Sequence, residues 1–173
     1  ALLALRGNPH LACPVIHLAG TNGKGSTLAH LRSLLEAKGL RIGAFSSPYL
    51  VSFNEQISID GIPISDQELE GYLALYRDLL AKNSSDQTLR GLTEFELMTV
   101  MAFDYFAAKK PDVVVMEVGM GGRLDSTNVC QPILTAITTI GLDHVALLGP
   151  DLASIAREKA GIIKEKIPVL LGR

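Results

Sequence analysis

The stretch Gly20-Thr21-Asn22-Gly23-Lys24-Gly25-Ser26-Thr27 carries the sharpest chemical signal in the chain. It follows an apolar run of strand length and opens a helical pattern, the setting a phosphate-binding loop requires. Glycines let backbone N–H groups close on phosphate oxygens, the helix start adds partial positive charge, and Lys24 can reach terminal phosphates. Thr21, Asn22, Gly23, Lys24, Gly25 and Ser26 are therefore the candidate phosphate-binding residues. The common G-x-x-x-x-G-K-[ST] spacing is not met: Leu18 stands where its first glycine would be, and Gly25 separates Lys24 from Ser26. The plainer reading is a glycine-rich strand-to-helix turn with a solvent lysine.

Three further positions could carry chemistry. Glu117 ends the apolar run Val113–Met116, and a carboxylate at a strand end across from a phosphate loop is what a hard cation needs. It could otherwise cap a neighbouring helix. His144 follows the apolar run Ile133–Thr139 and would share the same sheet edge, although a lone histidine is more often structural than a ligand. Lys159 stands with Arg157, Lys164 and Lys166, and the charge pattern alone favours a solvated basic face there. For a hydroxyl ligand to a metal, position points to Ser26, which opens a helix as the hydroxyl of ordinary phosphate loops does.

The elements that must position these residues alternate. Strands are expected near Val15–Leu18, Ile42–Phe45, Val113–Glu117, Ile133–Thr139 and Val169–Leu171. Helices are expected at Gly25–Lys38, Asp66–Ala81, Glu94–Lys109 and Asp151–Gly161, the first with Leu28, Leu31, Leu34 and Leu35 on one face and Gly39 as its stop. Ser65 with Glu68, and Thr93 with Glu96, have the spacing of capping boxes. Such alternation predicts a parallel sheet covered on both faces. Asn83–Asp86 reads as a solvated loop, and Asn54–Pro63 as a short β-hairpin turning at Asp60-Gly61.

Composition narrows the function classes. The chain has 173 residues, 47% of them hydrophobic, enough to bury one sizeable core. A formal net charge of -2 and the lack of any long basic run argue against nucleic acid and anionic membrane as partners. No apolar run is long enough to span a bilayer. Cys13 and Cys130 form neither a metal-type spacing nor a disulfide framework, so a reduced, cytoplasmic protein is expected. Ala1–Leu5 is apolar but short and lacks a cleavage site, so no signal peptide is expected. The first residue is not Met and residues 168–173 read as a strand that has barely ended; both ends look trimmed.

Four motifs in order resemble one family, the folylpolyglutamate and dihydrofolate synthases, relatives of the Mur peptidoglycan ligases. Gly-Thr-Asn-Gly-Lys is similar to the superfamily's loop, and the following Gly-Ser favours the folate branch. Ser46-Ser47-Pro48-Tyr49-Leu50 with Asn54-Glu55-Gln56-Ile57 looks like the family's second stretch, with Tyr49 in place of a usual His and Gln56 of a usual Arg. Glu117 to Asn128 resembles its most recognisable segment. Gly141-Leu142-Asp143-His144, Leu148-Gly149 and Glu158 to Lys164 complete the series.

The resemblance implies an α/β fold: a three-layer parallel-sheet phosphate-loop domain of the Mur ligase type, with a small β-hairpin or loop insertion, spanning residues 1–173. A C-terminal glutamate-binding domain would lie outside this chain. The implied reaction is ATP-dependent amide formation between L-glutamate and the carboxylate of dihydropteroate or a reduced folate, in a monomer. Two Mg2+ ions are implied, with Ser47 and Glu117 as ligands to one and His144 to the second, leaving Ser26 with the phosphates. Lys24, His144 and Lys159 would be catalytic, Lys159 as a carbamate formed with carbon dioxide. Thr93, Phe95 and Asp125 align with positions that hold the pterin. The alternatives are a Mur-type peptidoglycan precursor ligase, which the Gly-Ser after Lys24 and the Ser-Ser-Pro turn disfavour, and a non-catalytic nucleotide-binding module.

Overall fold

A computed structural model describes residues 1–172. In chain order the elements are α1 (Leu2–Leu5), β1 (Val15–Ala19), α2 (Lys24–Glu36), β2 (Ile42–Phe45), β3 (Ile57–Ile59), β4 (Ile62–Pro63), α3 (Asp66–Lys82), α4 (Glu94–Lys109), β5 (Val113–Glu117), β6 (Pro132–Ile137), α5 (Val145–Leu148), α6 (Leu152–Ala160) and β7 (Val169–Leu171). The strands form one sheet in the order β4-β3-β2-β5-β1-β6-β7. Five of them, β2-β5-β1-β6-β7, are parallel, with β1 paired to β5 on one side and β6 on the other.

The central strands are mostly apolar because both faces are covered, with His17, Glu117 and Thr135 as buried exceptions. Val15, Phe45, Val114 and Met116 face a core closed by α1, α3 and α4. Ile16, Leu18, Ile42, Ala44 and Val115 face α2, through Leu28, Leu31 and Leu35. Helix α4 is buried from Met98 through Phe106, with no polar stripe to offer solvent. Both capping boxes form, Ser65 with Glu68 and Thr93 with Glu96. Cys13 and Cys130 are free thiols. Among the described residues no helix is long and apolar enough to cross a membrane.

The expected parallel sheet forms, and the hairpin read within Asn54–Pro63 extends it by two antiparallel strands, β3 and β4, beyond β2. Three expectations need correction. The turn at Asp60-Gly61 does form, both residues having positive φ (49° and 74°), but residues 53–56 are a 3-10 helix rather than hairpin strand. On α2, Leu34 is 66% exposed, because a residue six beyond Leu28 falls well off its face. Finally, β6 stops at Ile137, which leaves Thr138 and Thr139 free to serve the loop beside them.

Candidate nucleotide and metal site

The carboxyl ends of β1, β5 and β6 meet where strand order reverses, with β2 reached on one side of β1 and β6 on the other. Open α/β sheets bind ligands at this point. The phosphate loop leaves β1 here. Gly20 has φ 149°, and a Cβ on it would lie 1.8 Å from Thr138 Oγ1, so a side chain is excluded. Gly23, left-handed at φ 82°, is the N-cap of α2. Asn22, Gly23, Gly25 and Ser26 are exposed at the mouth of the loop. Lys24 turns back across it: its Nζ donates to the Gly20 carbonyl at 3.1 Å and lies 3.9 Å from Glu117 Oε1.

Glu117 is only 4% exposed. Burial pushes its carboxyl up to about 7, against the pull of the Lys24 ammonium and a hydrogen bond from the Ser47 backbone N–H. The carboxylate is thus desolvated and only partly compensated, a donor set that suits a hard cation. Ser47, in the turn after β2, reaches Glu117 through its backbone N–H. The Gly25 backbone also approaches, since a Cβ there would sit 4.0 Å from Glu117 Oε2.

A second constellation lies beside the first. Lys159 is 3% exposed, so the solvated basic face expected from its charged neighbours is wrong. Burial and the charge of Lys24 lower its pKa, with Asp143 opposing. The helical spacing of Ile155, Lys159 and Ile162, all buried, was the signal that the charge count overrode. His144 is the N-cap of α5 in a left-handed conformation (φ 47°, ψ 39°). Its side chain is 51% exposed, with Nε2 3.6 Å from Asp143 Oδ1. Among the described residues, no three His, Cys, Asp or Glu side chains converge on one metal-sized point. Glu117 with Ser47, and His144 with Asp143 near Lys159, are separate groups that share Lys24 as a charged neighbour.

Next to Ser47 opens a cavity of about 740 Å³, with Pro48, Thr93, Phe95, Met120 and Asp125 in its wall. Phe95 belongs both to the core and to the cavity wall. Its ring packs 5.6 Å from that of Phe45 and also walls the cavity, lying so close to Gly119 that a Cβ there would come within 2.6 Å. Thr93 and Asp125 line the cavity with polar groups already engaged. The Thr93 hydroxyl accepts from Glu96 N–H and donates to its carboxylate. Asp125 Oδ1 accepts from the Thr127 N–H and hydroxyl, and Oδ2 from Met120 N–H. The Thr127 proton goes to Asp125, so its oxygen accepts from His17 Nε2 at 2.8 Å. Burial holds that imidazole neutral, lowered to about 3. Tyr49 is exposed against Phe53, and Gln56 is buried with its amide donating to the Phe53 carbonyl; neither lines the cavity.

Sequence reasoning passed over Asp143, Thr138 and Thr139 as site residues. The latter two touch the loop across 116 or 117 residues of sequence, a distance at which no local pattern signals contact.

The Mur ligase middle domain family matches residues 18–168. The dihydrofolate synthase/folylpolyglutamate synthase of Bacillus subtilis is 52% identical over 172 residues, covering 98% of this chain and 39% of that protein. The folylpolyglutamate synthase of Lacticaseibacillus casei is 44% identical over 171 residues, covering 99% and 40%. Among solved structures, an FPGS–AMPPCP–folate complex superposes with a TM-score of 0.95 at 45% identity, over 99% of this chain and 42% of that one. E. coli FolC with DHPP and ADP gives 0.86 at 38%, over 98% and 40%. The chain thus spans about two fifths of the length of the curated relatives it matches.

Proposed function

The chain belongs to the Mur ligase family, as its middle domain, and from that premise we propose that it is the ATP-binding part of a ligase joining L-glutamate to dihydropteroate or a reduced folate. The observation that carries this reading is Glu117, a buried and under-compensated carboxylate facing a phosphate loop, with a ring-sized cavity beginning at the adjacent Ser47. The relatives solved with AMPPCP and folate, or with ADP and DHPP, support the same pairing of ligands.

In the proposed reaction the substrate carboxylate attacks the γ-phosphorus of ATP, forming an acyl phosphate and releasing ADP. The amine of glutamate then attacks the acyl carbon, phosphate leaves, and the amine gives up its proton. Lys24 and the N–H groups of the loop neutralise charge on the transferring phosphoryl group, so catalysis is positioning and electrostatics. Ser47 and Glu117 would hold one Mg2+, and His144 with Lys159 a second; bound magnesium supplies further charge neutralisation on the phosphates. Thr93, Phe95 and Asp125 would shape the pterin end of the cavity, Phe95 by stacking.

Lys159 acts in this reading as a carbamate. Its neutral amine forms a C–N bond with carbon dioxide and releases a proton, turning a cation into a carboxylate-like ligand. Burial and the nearby Lys24 favour the neutral amine that this step needs. The remainder of the relatives' length would supply the glutamate site and further nucleotide contacts, and the whole protein would work as a cytoplasmic monomer.

The test is calorimetry of residues 1–173 with MgATP, together with an assay for glutamate incorporation. Weak binding and no amide are expected; appreciable ligation by this chain alone would overturn the two-domain reading. Assay of the full-length protein with dihydropteroate, with tetrahydrofolate and with a nucleotide-linked peptide separates the folate activities from a peptidoglycan ligase. Turnover of none of the three would leave a nucleotide-binding module.

A further inference from the structure

The tip of the phosphate loop is held from outside, by the two residues that follow β6. Thr138 N–H donates to the Ala19 carbonyl at 2.9 Å, carrying the ladder between β1 and β6 one residue further. The Thr138 hydroxyl then donates to the Asn22 carbonyl at 2.6 Å, and the Thr139 hydroxyl donates to the same oxygen at 3.1 Å. Thr139 also takes the Asn22 N–H on its hydroxyl at 3.0 Å and the Thr21 N–H on its carbonyl at 2.9 Å. One residue pair further along, the Thr21 hydroxyl and the Gly141 peptide groups bond reciprocally at 3.1 and 3.0 Å.

These contacts fix a direction. A trans peptide is planar, so the C=O of one residue and the N–H of the next point opposite ways. Two hydroxyls draw the Asn22 carbonyl toward the sheet, and the Gly23 N–H must therefore face the open mouth of the loop. The N–H groups of Thr21 and Asn22, by contrast, are consumed inward. Gly20 fits the same design, for any side chain on it would displace the Thr138 hydroxyl.

We propose that Thr138 and Thr139 are positioning residues for the phosphates of the nucleotide, acting through the Asn22–Gly23 peptide. The inference rests on the nucleotide reading above and adds the device that presets the loop. The segment carrying both threonines runs on through Gly141 to Asp143 and His144, so loop geometry and the second constellation share one support.

The test uses the full-length protein and a non-hydrolysable magnesium–ATP analogue, with melting temperature measured alongside. Thr138→Val/Thr139→Val keeps side-chain shape and removes both hydroxyls. It is expected to weaken analogue binding about tenfold, the scale of losing one or two net hydrogen bonds, with the melting temperature within a few degrees of the parent. Thr138→Ser/Thr139→Ser should bind like the parent. Affinity of the valine variant within twofold of the parent, or no recovery with serine, overturns the proposal. Should the double variant fail to fold, Thr139→Val against Thr139→Ser makes the same comparison with an effect of about threefold. A Lys24→Ala variant tells two failures apart. If it weakens binding while the valine variant does not, only this inference falls; if the parent binds no analogue, the nucleotide reading falls with it.

Discussion

Two neighbouring regions treat their polar groups in opposite ways. At the strand ends, ionisable side chains are buried with too little compensation: Glu117 has one ammonium at 3.9 Å and one backbone N–H, and Lys159 lies near a like charge. In the adjoining cavity the polar groups are satisfied internally, Asp125 by three donors and Thr93 by its own helix. Burying an unpaired charge is expensive, and a fold keeps such a group where a ligand will complete it. The strand-end corner is therefore built to receive charge. The cavity is built to receive shape, with the Phe95 ring as its wall.

The largest effect should come from removing charge at the corner. In the full-length protein Lys159→Ala should lose about three orders of magnitude in rate, the upper scale for losing an electrostatic stabiliser. A short carboxylic acid in the assay should restore part of it if the carbamate reading holds; rescue by small amines instead would mean a lysine that touches phosphate directly. Glu117→Gln keeps shape and loses charge, and should cost at least about a hundredfold in rate with the fold intact. Near-normal turnover with unchanged magnesium dependence would refute its assignment.

The same carboxylate predicts a pH dependence in metal-free protein. Folded, Glu117 keeps its proton up to about 7, whereas the unfolded chain gives it up near 4.5. Between those values the folded state binds more protons, so this group makes stability fall as pH rises through the window. The loss is on the order of 3 kcal/mol at most. Denaturant unfolding at pH 5 and pH 8 with a chelator should show it in the parent, and Glu117→Gln should remove that component.

Changes in the cavity should act on substrate binding more than on rate. Asp125→Asn loses acceptor capacity for three donors and should raise KM for the proposed pterin-bearing substrate about tenfold while lowering stability by about 1–2 kcal/mol. A fall in kcat with KM unchanged would erase the contrast between the two regions. The smallest effect is expected at the rim, where Leu50 is 90% exposed; Leu50→Ser should shift stability by less than about 0.5 kcal/mol in thermal unfolding.

Much of this was legible in the sequence where local chemistry decides the outcome. The runs Ile42–Phe45 and Val113–Glu117 are strands to the residue, because buried parallel strands are uninterrupted apolar stretches. The caps at Ser65 and Thr93 needed only a hydroxyl and a carboxylate three residues apart. What escaped depends on distant partners. Ile57–Ile59 joins the sheet because β2 offers it an edge, which the stretch itself does not announce. Lys159 looks like a surface residue until its place between Ile155 and Ile162 is weighed above its charge. The phosphate-loop motif was plain, but the threonines that orient its tip were not, since each contact joins opposite ends of the chain.

The position of β1 in the middle of the sheet also sets an order of events during synthesis. β1 and the loop after it are made well before both neighbours of β1 and both threonines, all of which lie beyond residue 112. At about 5–20 residues per second, Asn22 leaves the ribosome roughly 6–23 s before Thr138. Through that interval the buried strand β1 has no partner in the sheet, and the glycines beside it have nothing to fix their shape. Assembly of the sheet centre and completion of the phosphate cradle therefore coincide, and a chain halted before Thr138 would carry the whole motif without its form.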